Sequence, residues 1–167
     1  SGLTCKKVPE DAIGLGADVP VCLGCKAARV RGIGNEVEHV ADMPLLHAVL
    51  VNPNLPVLTA EVFGRLKNKD NPPMPEPLPD LADPRDLINW LGEMRNDLQP
   101  PAIEAEPVIQ KVFEALQVTP GCLLVRMSGS GGTCFGPYAD AETARSAAGR
   151  VQEAFPSWWV AATQQNA

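Results

Sequence analysis

Gly129, Gly131 and Gly132, crowded into the run MSGSGGTCFG at residues 127–136, constrain this chain more than any other feature. An apolar run at 122–125 delivers the segment, and a second strand-like run at 133–138 follows it. Without a Cβ these positions can take positive φ, so backbone N–H groups can converge on an anion while Ser128, Ser130 and Thr133 add hydroxyl donors. Two strands joined by a Gly/Ser loop also describe an ordinary β-hairpin, and the glycines by themselves leave both readings open.

Around that turn the sequence lays out a folded domain. The 167 residues are enough to bury roughly 70% of the unfolded surface. An apolar strand is expected at 45–51, stopped at Asn52-Pro53 because proline lacks the ladder donor. Thr59 is then expected to cap a short helix at 60–66 with Glu61 in its first turn. Residues 67–80 are too rich in proline and charge to pack and read as an exposed loop.

Helical spacing returns at 84–95, where Leu87, Ile88, Leu91 and Met94 share a face, and at 106–116, where Val108, Ile109, Val112, Phe113 and Leu116 do the same. Those stripes read as core. A helix over 141–154 opens with Asp140 as its N-cap, and a last strand is expected at 158–163. From residue 45 the order is β-α-α-α-β-β-α-β, a split β-α-β arrangement of the α+β class: a ferredoxin-like antiparallel sheet with helices on one face. Residues 1–44 read as the edge of something larger, with extended segments at 17–22 and 27–31 that have lost their sheet and are expected to pack poorly or to pair with a neighbouring chain.

Charge narrows the function. Net charge is −6, with 20 acidic against 14 basic residues, and the cations are dispersed, so nucleic acid and anionic membrane are not expected partners. No apolar run reaches the roughly 18 residues of a membrane span, the N-terminus lacks a signal-peptide pattern, and a cytoplasmic protein is expected. The five cysteines Cys5, Cys22, Cys25, Cys122 and Cys134 are expected to be reduced, structural thiols. Cys22 and Cys25 form a CxxC without a second CxxC or a paired histidine, so hairpin packing is preferred over a metal site.

Four segments in order, LGADVP at 15–20, VNPNLPVLTAEVF at 51–63, RNDL at 95–98 and RMSGSGGTCFG at 126–136, resemble the 4-diphosphocytidyl-2-C-methyl-D-erythritol kinases of the GHMP superfamily. The resemblance covers nearly the whole chain. It implies transfer of the γ-phosphoryl of ATP, with Mg2+, to the 2-hydroxyl of the methylerythritol unit of a cytidine diphosphate substrate, in non-mevalonate isoprenoid synthesis. By the same resemblance, Asp18 matches the catalytic aspartate, a role that suits a carboxylate able to accept the hydroxyl proton. Thr59 and Phe63 match positions that contact the substrate's phosphate side and stack on its cytosine, and Phe63 as a plain core aromatic is the alternative. Residues Ser128, Gly129, Ser130, Gly131, Gly132 and Thr133 match the third superfamily motif, which lines the cleft. Arg95, Asn96 and Asp97 read as a brace for the helix junction.

The family pattern also includes an N-terminal lysine and the loop PxxxGLGGGSSDAA, which holds the ATP phosphates at a helix N-terminus. Neither occurs here, since Gly14 and Gly16 merely lead into LGADVP. The expectation is therefore a C-terminal part of such a kinase: 1–44 as the last segment of the nucleotide-binding domain, 45–167 as the C-terminal domain, and the missing N-terminal domain as a required partner, with the piece inactive alone. Another GHMP kinase acting on a sugar, mevalonate or homoserine, and a non-catalytic ferredoxin-like binding module, are the competing readings; TAEVF and RNDL argue against the first.

Overall fold

A computed structural model describes residues 26–32, 36–41 and 43–165. The described residues divide into two compact units between Met43 and Pro44. In the first, β1 (Ala28–Arg31) and β2 (Glu36–His39) form an antiparallel ribbon in which Arg31 faces Glu36 and Ala28 faces His39. Gly32, at φ 65°, begins the turn. Arg31 also reaches diagonally to Glu38 at 2.9 Å. The expectation that 27–30 lacks a sheet partner is thus corrected. The run EVEH carries one apolar residue and gives little strand signal by itself, yet its acids complement the arginines of β1 across the ribbon. The expected extended segment at 17–22, Asp18 within it, and Cys5, Cys22 and Cys25 lie outside the described residues.

In the second unit the elements run β3 (Leu46–Asn52), α1 (Thr59–Gly64), α2 (Pro84–Glu93), α3 (Gln99–Ala105), α4 (Val108–Gln117), β4 (Arg126–Met127), β5 (Cys134–Tyr138), α5 (Ala141–Ala154) and β6 (Trp159–Gln165). The sheet order is β4-β5-β3-β6 with every neighbour antiparallel. This is the split β-α-β-β-α-β arrangement of the α+β class, with additional helices between its first two strands. Strand β3 is the central member. Val49 faces Gly136 and Ala162, and Val51 faces Cys134 and Val160. The two-residue period sends Val49 and Val51 to one face, where they are fully buried with Ile109, Val112 and Leu116 of α4 and Ala144, Ala147 and Val151 of α5. Alanines at two of the three α5 positions let that helix approach the sheet closely.

Helix α5 starts as its sequence indicates, with the Asp140 carboxylate accepting from the Thr143 N–H at 2.8 Å; those donors hold its carboxyl below the usual range. Asp83 caps α2 in the same way, with Pro84 at the first helical position. Several boundaries move, β3 by one residue to Leu46–Asn52. Helix α2 ends at Glu93 rather than 95, α4 runs over Val108–Gln117, β5 begins at Cys134, and β6 is shifted to Trp159–Gln165. Helix α3 is an addition: Pro100 and Pro101 sit in its first turn, where a missing N–H costs nothing.

Two expectations fail for clearer reasons. Thr59 is not a cap, because Leu58 holds that position and the helix starts at Thr59 and ends at Gly64. The strand expected at 122–125 has ladder pairing only at Arg126–Met127. Leu123 donates its N–H to the Pro137 carbonyl at 3.0 Å, but proline has no N–H to return, so the ladder breaks there.

Where β5 ends, the buried Tyr138 hydroxyl lies 2.6 Å from that of Thr119, which donates to the Leu116 carbonyl at 2.6 Å. Thr119 has one hydroxyl hydrogen, so Tyr138 is the donor of the pair. Cys122 and Cys134 are free thiols. Burial pushes both the Cys134 thiol and the Tyr138 phenol up to about 12.

Replacing Leu116, which is fully buried, by alanine should cost about 2–5 kcal/mol in chemical denaturation, whereas the half-exposed Leu123→Ala should cost less than about 0.5 kcal/mol. Equal losses would mean that the core lies elsewhere. Because Cys134 and Tyr138 hold their protons more tightly when folded, the native state binds more protons than the unfolded chain above about pH 9. Stability should accordingly be complete below about pH 9 and decline as pH rises toward about 12. Melting temperature across that range tests this, and Cys134→Ala with Tyr138→Phe should flatten the decline.

Candidate functional site

Strands β4 and β5 are joined by the glycine run, which closes on itself through Ser128 N–H to Thr133 O at 2.9 Å and Gly131 N–H to Ser128 O at 3.1 Å. In topology this is a hairpin loop. Its backbone is unusual, with Gly129 at φ 54°, Gly131 at 120° and Gly132 at 82°. At Gly131 a Cβ would stand 3.2 Å from Val57 Cγ1 and 3.4 Å from Met127 Sδ, at a φ that side chains rarely adopt. The conformation favours glycine there, and a side chain would also press on Val57 and Met127 by a few tenths of an ångström.

Three side chains from outside the hairpin hold this loop. Asn52, at the end of β3, donates from Nδ2 to Thr133 Oγ1 at 3.0 Å. Thr59, in the first residue of α1, places its hydroxyl 2.9 Å from that of Ser130. Asn96, between α2 and α3, donates from Nδ2 to the carbonyls of Met127 at 3.1 Å and Gly129 at 2.9 Å, while its Oδ1 accepts from the Leu98 N–H at 3.0 Å. Strand end, helix start and helix junction therefore converge on six residues.

Of the sequence-predicted positions, Thr59 and the residues Ser128 to Thr133 come together. Phe63 lies one turn further along α1 on the Thr59 side. It is 48% exposed while Val62, its neighbour on α1, is fully buried, so within this chain Val62 is the core residue of that helix. Asp18 is outside the described residues. The expected brace exists: Arg95 Nε meets Asp97 Oδ1 at 2.8 Å and its guanidinium also donates to the Pro72 carbonyl.

Asn52 and Asn96 are the loop contacts that sequence reading missed. Asn52 reads as a strand stop and Asn96 as part of the junction, and nothing in either local pattern announces a partner 81 or 33 residues away. In the sequence Arg126 stands out only as the first residue of the motif RMSGSGGTCFG. Its guanidinium donates to the carbonyls of Leu91, Gly92 and Met94 at 2.7–2.8 Å, satisfying the open C-terminal end of α2. The assembled face sets the Thr59 hydroxyl, on the helix that carries the exposed Phe63 ring, 2.9 Å from that of Ser130, a combination suited to a phosphate joined to a planar base.

Residues 76–157 match the family model described as GHMP kinases C terminal. The chain is 51% identical to 4-diphosphocytidyl-2-C-methyl-D-erythritol kinase of Dinoroseobacter shibae over 95% of its own length and 55% of that protein. It is 47% identical to the enzyme of the same name from Roseobacter denitrificans over 91% of its length and 51% of that protein. A crystal structure of 4-(cytidine 5'-diphospho)-2C-methyl-D-erythritol kinase superposes with a TM-score of 0.72 at 32% identity, covering 93% of this chain and 56% of that one. The chain spans about half the length of the curated relatives it matches. Over the part it spans, the chain is similar to GHMP kinases in their C-terminal domain and to the 4-diphosphocytidyl-2-C-methyl-D-erythritol kinases.

Proposed function

We propose that this chain supplies the substrate side of a kinase that transfers the γ-phosphoryl of ATP to the 2-hydroxyl of 4-diphosphocytidyl-2-C-methyl-D-erythritol, a cytoplasmic step of non-mevalonate isoprenoid synthesis. The observation that carries the proposal is the 2.9 Å contact between Thr59 and Ser130, which sets the helix bearing the exposed Phe63 against the glycine loop. In this reading Phe63 stacks on the cytosine, Thr59 contacts the diphosphate, and Ser128 to Thr133 line the cleft with amides and hydroxyls. Such donors are useful because they are fixed before the ligand arrives and need not reorganise as charge develops. The names of the relatives support the choice of substrate.

Asp18 is assigned the proton-accepting role in this proposal, because a hydroxyl nucleophile must lose its proton as it attacks. Residues 1–44 are assigned to the end of the nucleotide-binding domain and 45–167 to the C-terminal domain. ATP and Mg2+ are expected of the complete enzyme. Among the described residues no three His, Cys, Asp or Glu side chains gather, and the donors at the glycine loop are hydroxyls and amides. No helix of the described residues is long and apolar enough to cross a membrane.

The direct test is ATP consumption with the cytidine substrate, run on this chain and again after adding the N-terminal part of the kinase as a separate polypeptide. Turnover is expected only on mixing; turnover by this chain alone would overturn the division of labour. In the complete kinase, Phe63→Ala should weaken binding of the cytidine substrate by about 1–3 kcal/mol, the range for base–aromatic stacking, and leave ATP affinity unchanged. Equal losses for both ligands would remove Phe63 from cytosine recognition. Asp18→Asn should lower kcat by about 10²–10⁴-fold with little effect on substrate affinity, and near-normal turnover would exclude it as the base.

A further inference from the structure

Every hydrogen-bonding group of the Asn96 carboxamide is used, and the orientation of that amide is fixed by chemistry. The Leu98 N–H lies 3.0 Å from one terminal atom of the side chain and can be met only by the oxygen. The nitrogen therefore faces the Met127 and Gly129 carbonyls, at 3.1 and 2.9 Å, both of which can only accept. One side chain thus grips two carbonyls that bracket Ser128.

The consequence follows from peptide planarity. In a trans peptide the carbonyl and the following N–H point in opposite directions, and among the described residues the one cis bond lies at Glu76-Pro77. Turning the Met127 carbonyl toward Asn96 directs the Ser128 N–H away from it, where that group meets Thr133 O at 2.9 Å. Turning the Gly129 carbonyl the same way directs the Ser130 N–H to the side away from Asn96. Gly129 has no atom within 4 Å of the position a Cβ would occupy, so its φ of 54° is not imposed by crowding. The bond from Asn96 Nδ2 to its carbonyl, at 2.9 Å, is the side-chain contact made to Gly129 itself.

We propose that Asn96 is a positioning residue for phosphoryl transfer, acting through the loop: its carboxamide fixes the direction of the Ser130 amide and so presents the Ser130 N–H and hydroxyl to the phosphate chemistry beside Thr59. This rests on the assignment of loop 128–133 to the cleft. Asn96 itself touches neither substrate nor the reacting atoms.

The test uses Asn96→Asp, which keeps an oxygen for the Leu98 N–H, since aspartate supports the same turn, and replaces the two-hydrogen donor by an acceptor facing two carbonyls. In 15N–1H spectra of the chain, the Gly129 and Ser130 amide signals should shift while those of α5 stay in place. In the complete kinase, kcat should fall about 10- to 100-fold, as expected for misplacement by a fraction of an ångström to an ångström, with KM for both substrates within about threefold. If the Gly129 and Ser130 signals do not move, Asn96 does not aim the loop and the inference is overturned whatever the activity. If they move and kcat is unchanged, Asn96 sets the loop geometry but the loop has no part in transfer, which overturns the assignment of the loop to the cleft. Should the aspartate variant fail to fold, Asn96→Ser, which retains a short acceptor for the turn but cannot span to both carbonyls, takes the same measurements with the same outcomes.

Discussion

The pairing of β3 on both its edges is the constraint on which the second unit depends. Because Leu46–Asn52 is hydrogen-bonded to β5 along one side and β6 along the other, its register fixes both neighbours at once. A slip of one residue would turn Val49 and Val51 away from α4 and α5 and expose the core. The same register decides where the strand ends. Asn52 emerges beside Thr133 because Val51 is paired with Cys134, so the stability of the sheet and the placement of the glycine loop are one requirement.

The loop itself gains little from any single contact. A neutral hydrogen bond contributes about 0.5–1.5 kcal/mol net, and non-glycine residues at positive φ lose about as much. Glycines at 129, 131 and 132 remove that conformational cost, and bonds from Asn52, Thr59 and Asn96 then choose one conformation among those that glycine permits. A hairpin loop becomes a rigid surface by being gripped from three separate elements. This division suits a phosphate cradle, whose donors must be aimed before the ligand binds.

Periodic and local signals were legible in the sequence. The α5 span and its Asp140 cap, the stripe of α4, the buried Leu87 and Ile88 of α2, and the stop of β3 before Pro53 follow from local spacing, while Met94 falls beyond the end of α2. Where tertiary contacts decide, the reading drifts. Thr59 looks like a cap because threonine favours that position, yet its hydroxyl is taken by Ser130, 71 residues away. Helix α3, which Pro100 and Pro101 open, carries no apolar stripe long enough to announce it. The ladder at 122–125 is interrupted by a proline on the opposing strand, which no window on 122–125 contains. For the site, Thr59, Phe63 and the glycine run were visible through the family motifs, while Asn52 and Asn96 were not, because an asparagine gripping a distant carbonyl leaves no pattern in the neighbouring sequence.

The proposed function requires the face formed by Thr59, Phe63 and loop 128–133 to take a cytidine diphosphate group. Titrating cytidine diphosphate into the 15N-labelled chain and mapping the amide shifts tests it most directly. The account predicts saturable shifts centred on Thr59, Phe63, Ser130 and Gly131, with cytidine alone reaching the Phe63 region and inorganic pyrophosphate alone reaching the loop. Saturable shifts that leave Thr59, Phe63 and the loop unmoved, or no shifts at millimolar ligand, would contradict it.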